Sequence, residues 1–199
     1  GLAESYTVSE DGLVYTFTIR DDAVWSNGDP VTSSDYVYAW QKMVDSTVAA
    51  GYAYMYDGLI QNATEIIAGE LDPAELAVEA ISDKELQVTL VQPAPYFLDI
   101  LAMPFFFPQH QAYMKEQGDS YGSGSDHLIY NGPFVMTDWD QAVGGSWTFV
   151  KNDSYWDEEN VQLEEVDVQV IKETSTAVNL YEADELEFAA LSGEYVAAH

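Results

Sequence analysis

Hydrophobic and polar residues alternate along residues 14–20, where every second side chain is bulky and apolar. This period of two predicts a half-buried strand, with turn-forming residues on either side of it at 11–12 and 26–30. Thr32, with an acidic residue three positions later at Asp35, predicts a capped helix that runs to about residue 45. The apolar stripe of this helix has helical spacing and consists of Tyr36, Trp40, Met43 and Val44.

The rest of the chain carries the same two periods in shorter stretches. Helices are predicted at residues 60–68, 95–102, 109–117 and 174–183, and strands at residues 78–81, 85–91, 132–139, 146–151 and 165–171. The strands at 78–81 and 85–91 flank a short turn and predict a hairpin, whose inward face carries Leu86, Val88 and Leu90. We expect this hairpin to join the strand at 14–20 in one sheet, with the Trp40 helix packed on it.

Strands and helices mix without a regular strand–helix–strand alternation and without an internal repeat. The predicted fold class is therefore α+β, or mixed α/β, with an antiparallel or mixed sheet packed with helices. The chain of 199 residues is long enough for one domain with a sizeable core, or for two small ones. Residues 118–126 are rich in Gly, Ser and Asp, which indicates a domain boundary in this region.

The charge balance is strongly acidic, and this argues against one class of function. Six Lys and Arg residues oppose 35 Asp and Glu residues, which gives a formal net charge of −29. A field of this sign repels phosphate backbones and anionic lipid headgroups, so no nucleic-acid partner is expected. Dense surface carboxylates keep a secreted protein soluble. The alternative reading is that they steer cations or basic peptides toward the protein.

The chain contains no cysteine, which leaves no disulfide or thiol chemistry and fits an extracytoplasmic bacterial protein. No apolar run approaches the roughly 20 residues that a membrane helix needs. The first residues lack the basic region and the apolar core of a signal peptide. We therefore expect either that a targeting segment was removed or that the chain begins within a longer protein.

Catalytic, metal and cofactor motifs are missing from the pattern. The three histidines, His110, His127 and His199, are far apart and have no metal-ligand spacing, so we interpret them as surface or loop groups. No Gly-x-Ser-x-Gly elbow and no phosphate-binding glycine loop occurs. We predict no catalytic residue, no metal site and no cofactor.

One stretch of the sequence can be compared with the pattern of a calcium-binding loop. Asp138 and Asp140 begin like such a loop, but the next ligand position holds Ala142 and the turn-glycine position holds Val143. The calcium pattern therefore fails. A glycosidase-like carboxylate pair cannot be tested by counting, because 35 carboxylates produce chance pairs everywhere.

Several short motifs follow one another in a characteristic order. They are LAES at residues 2–5, DGL at 11–13, YTFTIR at 15–20, WSNGDPVT at 25–32, SDYVYAW at 34–40, IIAG at 66–69, LQVTL at 86–90, PAPYF at 93–97, NGPF at 131–134 and KNDSYW at 151–156. In this order they resemble the oligopeptide-binding and dipeptide-binding family of ABC-transporter solute receptors, known as extracellular solute-binding protein family 5. The resemblance covers nearly the whole chain.

The resemblance implies a periplasmic-binding-protein-like fold of class II and a non-enzymatic function. By resemblance, the protein is the substrate-binding component of an ABC importer and binds peptides outside the cytoplasmic membrane for uptake. Two lobes would close around an extended peptide and then dock on membrane permease subunits. The implied partners are a peptide ligand and the permease, with the receptor itself a monomer. The full-length parent would be extracytoplasmic, in the periplasm or lipid-anchored at the cell surface.

The resemblance also implies candidate ligand-binding residues. Tyr52 matches a tyrosine that lines the peptide cleft in similar proteins, while Asn131, Gly132, Pro133 and Phe134 match a segment near the cleft and hinge. The residues themselves suggest a structural role for this segment, because an Asn-Gly-Pro sequence bends the chain into a strand. We expect Gly132 to allow a close backbone approach and Pro133 to hold φ near about −65°.

The resemblance implies a division of the chain as well. Residues 1–112 would form the small accessory domain of the larger family members, and residues 113–199 would form part of the first ligand-binding lobe. Family members are usually longer, with a second lobe that supplies the aspartate for a peptide's amino terminus. Near the end of the chain, residues 183–187 read ADELE where relatives carry Gly-Glu-Leu-Asp after a tyrosine, so the match is weaker there.

Three other functions stay open from the sequence alone. The same scaffold could bind another solute, such as a nickel complex, an oligosaccharide or an opine. An acidic extracellular carbohydrate enzyme would need two carboxylates at a fixed separation in a deep cleft. A surface protein that only mediates contacts is the third alternative.

Overall fold

The computed structural model describes residues 1–142, 145–191 and 193, and these residues form two antiparallel sheets with helices packed around them. A four-stranded sheet lies in the first half of the chain and a three-stranded sheet in the second half. Helices and turns connect the strands along the chain. This architecture confirms the α+β class that the mixed periodicity predicts.

The four-stranded sheet brings the predicted hairpin and the predicted first strand together. Its strands are β1 (Ala3–Val8), β2 (Val14–Ile19), β3 (Val78–Ser82) and β4 (Glu85–Thr89), in the order β1-β2-β4-β3. Tyr15 lies opposite Val88 and Phe17 opposite Leu86, and all four side chains are buried. The inward face predicted from the alternation is therefore confirmed.

Helix α1 (Ser33–Val44) packs on β3 and β4 and buries its apolar stripe against them. The cap predicted for its N-terminus is present, because the Thr32 N–H donates a hydrogen bond of 2.9 Å to Asp35 Oδ2. Trp40 is only 1% exposed. Two shorter helices, α2 (Ala63–Ile67) and α3 (Phe97–Ile100), complete this core, whose largest buried members are Trp40, Tyr56, Phe97, Phe106, Ile60 and Ile66.

Helix α2 is shorter than the helix predicted at residues 60–68. Ile60 forms an isolated antiparallel bridge with Leu90, which ties its backbone to the sheet. Asn62 has φ +70°, a left-handed conformation that an α-helix does not contain. The helix therefore begins at Ala63, and tertiary pairing overrides the apolar pattern at its N-terminal end.

Strand β1 has no counterpart among the predicted strands. All six of its residues are exposed, including Tyr6 and Val8. It pairs with β2 along one edge, with Tyr6 opposite Phe17. Backbone hydrogen bonding forms this strand without the one-sided burial that produces alternation, so the periodicity of the sequence does not reveal it.

The second half of the chain contains helix α4, a three-stranded sheet and helix α5. Their bounds are α4 (Gln111–Gln117), β5 (Phe134–Thr137), β6 (Ser146–Lys151), β7 (Glu165–Gln169) and α5 (Thr174–Glu182). The sheet order is β5-β6-β7, antiparallel throughout. The prediction for β6 is confirmed at both ends, and the other two strands are shorter than predicted.

His110 is more than the surface or loop group that the sequence predicted. Its side chain is 14% exposed, and its Nε2 lies 3.0 Å from Asp29 Oδ2. Its Nδ1 accepts a hydrogen bond from the Tyr113 N–H and so caps α4. His127 lies in a short 3₁₀ turn with a more exposed side chain, and His199 lies outside the described residues.

Two predicted absences concern the membrane and metals. In the part of the chain that the structure describes, no helix is both long enough and apolar enough to cross a bilayer. No group of three or more His, Asp or Glu side chains in that part is arranged to hold a metal ion. Val143, on which the calcium-loop test partly rested, lies outside the described residues.

Candidate functional site

A cavity of about 580 Å³ opens between the four-stranded sheet and the segment that leads into β5. Asn131, Gly132 and Pro133 line one edge of it. Phe134 is half-buried at the start of β5 and does not line the cavity, and neither does Tyr52. Three of the five predicted ligand-binding residues therefore line the cavity, and Phe134 and Tyr52 do not. A cavity of this size is within the range that small ligands occupy.

The cavity wall is apolar and aromatic, although the protein is strongly acidic. No Asp, Glu, Lys or Arg side chain belongs to the lining found among the described residues, whereas the whole chain has 41 such residues, six basic and 35 acidic. The principal side chains of the wall are Leu2, Phe17, Ile19, Tyr36, Trp40, Leu98, Leu101, Phe106, Phe107, Tyr155 and Trp156. Such a surface favours apolar or uncharged groups, since an unpaired charge would lose its hydration there.

The regular elements position the wall residues. Phe17 and Ile19 come from the inward face of β2, and Tyr36 and Trp40 lie one helical turn apart on α1. The Tyr36 and Trp40 rings meet edge to face at 6.3 Å, an arrangement that aromatic pairs favour. Burial raises the pKa of the Tyr36 phenol well above its usual range, and the nearby Asp35 carboxylate raises it further. The phenol is therefore an uncharged wall group at neutral pH.

Hydrogen bonds from both sides hold the segment at residues 130–133. The Ser26 N–H donates to the Tyr130 carbonyl at 2.6 Å, and the Tyr130 N–H donates to Ser26 Oγ at 3.0 Å. On the other side, Asn152 Nδ2 donates to the Gly132 carbonyl at 2.8 Å, and the Asn152 N–H donates to the Pro133 carbonyl at 2.9 Å. Asn152 is only 4% exposed. The segment is thus fastened by residues that are distant from it in sequence.

Gly132 does not have the role that the sequence suggested. A Cβ at this position would meet no described atom within 4 Å, and its φ is not in the left-handed region. The expectation that Gly132 allows a close approach of another backbone within the chain is therefore wrong. Gly132 is instead one of the residues that line the cavity.

A cation–π contact joins the first sheet to the second half of the chain. The guanidinium of Arg20, just after β2, lies 3.7 Å from the ring centroid of Trp156, and Trp156 lines the cavity. Arg20 also forms an ion pair of 3.0 Å with Asp22. The guanidinium thus contacts a wall residue of the cavity without belonging to the described lining itself.

Tyr52 lies on a separate aromatic surface. Its side chain is 54% exposed, and its ring stacks on Phe105 with centroids 4.8 Å apart and planes 14° apart. Tyr54 is close by, with a centroid distance of 6.1 Å to Tyr52. Phe105 immediately precedes the wall residue Phe106, so this surface is adjacent in sequence to the cavity wall.

The sequence reasoning missed most of the cavity wall. Phe106 and Phe107 belong to an apolar stretch at residues 98–108, to which the sequence pattern assigned no function. Tyr155 and Trp156 stood inside one of the family motifs but were given no role. The signal that could have identified them is the concentration of aromatic residues in both motifs, which is typical of ligand-binding surfaces.

A class of protein follows from this geometry. An α+β chain presents an aromatic cavity whose described lining holds no Asp, Glu, Lys or Arg, beside a polar backbone edge. This combination is typical of a protein that binds a solute. Residues 1–198 match the sequence profile described as bacterial extracellular solute-binding proteins, family 5 Middle, and the chain belongs to this family.

Two curated relatives with similar sequences are peptide-binding proteins by name. The chain is 40% identical over 194 residues to the dipeptide-binding protein of Lactococcus lactis subsp. cremoris, a match that covers 96% of this chain and 35% of the relative. It is 38% identical over 192 residues to the oligopeptide-binding protein OppA of Bacillus subtilis, covering 96% of this chain and 34% of OppA. The chain thus spans about a third of the length of these relatives.

Solved structures show the same fold. The peptide-bound OppA of Listeria monocytogenes superposes with a TM-score of 0.92 at 43% identity, covering 100% of this chain and 39% of the other. The substrate-binding domain of an oligopeptide ABC transporter from Bacillus anthracis also gives a TM-score of 0.92, at 47% identity, covering 100% of this chain and 38% of the other. The periplasmic-binding-protein-like fold predicted from the motifs is confirmed.

Proposed function

We propose that this chain is part of the substrate-binding component of an ABC importer, which binds peptides outside the cytoplasmic membrane for uptake. The observation that carries the proposal is the uncharged aromatic cavity edged by the backbone of residues 131–133. Peptides offer main-chain amides to such an edge and variable side chains to such a wall. Two relatives that are named as peptide-binding proteins support a peptide as the solute. The similar structure of Listeria monocytogenes OppA, which is bound to peptide, supports it as well.

The proposed division of labour follows the two sheets. Residues 1–112 act as the accessory domain, and residues 113–199 contribute to the first ligand-binding lobe. The separate sheets β1-β2-β4-β3 and β5-β6-β7 support this division. In the proposed receptor, a second lobe closes over the peptide from the opposite side and removes water from it. Tyr52 and residues 131–134 are proposed to face the peptide cleft.

The proposed receptor works without catalysis and without a cofactor. It acts as a monomer and delivers peptide to the permease subunits of the importer. Its proposed location is extracytoplasmic, in the periplasm or at the cell surface through a lipid anchor. Family membership among extracellular solute-binding proteins supports this location, and the net charge of −29 suits a soluble secreted surface.

Calorimetry on two proteins tests the proposal. One is a receptor of the relatives' length that contains this sequence, and the other is the 199-residue chain alone. We expect the receptor to bind members of a panel of tri- to pentapeptides at micromolar Kd or tighter. We expect the chain alone to bind at about millimolar Kd or worse, near −4 kcal/mol, because it lacks the opposing lobe.

The same titrations separate the competing solutes. Nickel complexes, oligosaccharides and opines are titrated into the receptor under identical conditions. Tight binding of one of these, with no peptide bound, would refute the peptide assignment while leaving the solute-binding class intact. Micromolar peptide binding by the 199-residue chain alone would show that it carries a complete site. Turnover of a glycosidase, esterase or peptidase substrate that disappears on replacing one carboxylate would refute the non-enzymatic assignment.

A further inference from the structure

The turn at residues 25–29 is a rigid support for the cavity edge. The Trp25 N–H donates to the Asp29 carbonyl at 2.8 Å, and the Gly28 N–H donates to the Trp25 carbonyl at 2.8 Å. Gly28 has φ +90°, a conformation that glycine adopts without strain. His110 Nε2 holds the Asp29 carboxylate at 3.0 Å from outside the turn. Ser26, inside this turn, is therefore fixed in position relative to Tyr130.

The hydrogen bonds of the cavity edge leave one set of polar groups unused. The carbonyls of Tyr130, Gly132 and Pro133 accept hydrogen bonds from Ser26 and Asn152. By contrast, in the part of the chain that the structure describes, Asn131 makes no hydrogen bond through its N–H, its carbonyl or its side-chain amide. The Gly132 N–H likewise donates to no described atom.

These unused groups lie where a ligand can reach them. Asn131 and Gly132 both line the cavity, and both are half-buried. Polar backbone groups beside an apolar wall gain from a hydrogen-bonding partner, because the wall excludes much of the water that would otherwise serve them. A partner with alternating N–H and carbonyl groups and no required charge fits both the edge and the uncharged wall.

We infer that Ser26 and Asn152 are positioning residues, which hold Asn131 and the Gly132 N–H toward the cavity so that they bind the main chain of an extended peptide. The inference rests on the proposed peptide-binding function and assigns a specific main-chain contact within it. Ser26 acts through Tyr130, and Asn152 acts through the Gly132 and Pro133 carbonyls. Neither residue needs to touch the peptide itself.

The test measures both peptide affinity and thermal stability for variants of a receptor that contains this sequence and is as long as the relatives. Ser26→Ala removes the acceptor for the Tyr130 N–H, and Ser26→Thr retains a hydroxyl there. The matched control is Ser123→Ala, because the exposed Ser123 hydroxyl donates to the nearby Ser120 carbonyl. Asn152→Ala and its exposed control Asn160→Ala form a second pair. Each variant is titrated with the panel peptide that binds the unsubstituted receptor most tightly, and each is melted without peptide.

We expect Ser26→Ala to raise the peptide Kd about three- to tenfold, the effect of one lost or misplaced hydrogen bond. Ser26→Thr should restore the affinity, and Ser123→Ala should leave it unchanged. A Ser26→Ala receptor with a lower melting temperature but an unchanged Kd would show a purely structural role and overturn the inference. Because Asn152 is buried and Ser26 is only half-buried, replacing Asn152 disturbs the fold more, and the Ser26 series decides the outcome. If no panel peptide binds the unsubstituted receptor, the proposed function fails and this inference fails with it.

Discussion

The indole N–H of Trp40 donates a hydrogen bond of 2.9 Å to the carbonyl oxygen of Phe106, which lies 66 residues further along the chain. The two rings also meet edge to face, with centroids 5.6 Å apart. This contact joins α1 to the aromatic segment that contains Phe106, and both residues belong to the same hydrophobic core. Both side chains also line the cavity, so the same pair supports the fold and the candidate site.

Trp40→Ala is expected to lower the free energy of unfolding by about 3–5 kcal/mol, because it empties a large buried volume and leaves the Phe106 carbonyl without its donor. Urea unfolding followed by circular dichroism measures this loss. Trp40→Phe fills part of the volume and should lose less. A loss below about 1 kcal/mol for Trp40→Ala would mean that the indole is not a core group.

The phenols of Tyr56, which is buried, and Tyr36, which is half-buried, predict a loss of stability in alkali. Burial raises the pKa of the Tyr56 hydroxyl, and burial together with the Asp35 carboxylate raises that of Tyr36. In the unfolded chain these groups lose their protons near pH 10, about the ordinary value for tyrosine, whereas in the fold they stay protonated to higher pH. The unfolded state then binds fewer protons, so the free energy of unfolding falls as the pH rises above about 10.

Tyr56→Phe tests the alkaline prediction. Melting temperatures measured from about pH 8 to about pH 11 should fall less steeply above pH 10 in this variant than in the unsubstituted protein. The variant also loses the hydrogen bond of 2.8 Å to the Phe105 carbonyl, so its melting temperature should be lower near pH 8, and this difference should shrink above about pH 10. Tyr54→Phe changes an exposed phenol and serves as the control. Equal slopes for Tyr56→Phe and the unsubstituted protein would contradict the argument.

Lys84 is expected to stabilise the fold through its ammonium group. Its Nζ donates to the Arg20 carbonyl at 2.9 Å and to the Val31 carbonyl at 3.0 Å, both partly buried. Lys84→Met leaves the Val31 carbonyl without a described donor and leaves the Arg20 carbonyl with the long hydrogen bond of 3.4 Å from the Ala23 N–H. It should lower the free energy of unfolding by about 1–3 kcal/mol. Lys115→Met, on the exposed part of α4, changes the net charge equally and is the control. Similar urea midpoints for the two variants would assign the effect to charge alone.

Tyr52→Ala is expected to weaken peptide binding by the proposed receptor about five- to tenfold without unfolding it. The ring is exposed and already ordered by its stack on Phe105, so it can contact a ligand with little loss of side-chain freedom. Tyr96→Ala is the control, because Tyr96 has the same exposure of 54%. Calorimetry gives the two Kd values. If both variants bind as the unsubstituted receptor does, Tyr52 has no part in the site.

Local patterns in the sequence determined the elements whose burial is one-sided. The alternation around Phe17 and Leu86 predicted β2 and β4, and the cap at Thr32 with the stripe through Trp40 predicted α1. These predictions hold because a half-buried strand or helix shows its own period in the residues that form it. The ordered motifs determined the family in the same local way.

The tertiary structure alone decided the features that depend on distant partners. Strand β1 is exposed on both faces and exists through its hydrogen bonds to β2, so no burial period reveals it. Ser26 meets Tyr130 across 104 residues, and Asn152 reaches back to Gly132 across 20. The cavity edge depends on these meetings. They arise from the folding of separate segments onto one another, a property that neither hydrophobic period nor turn composition encodes locally.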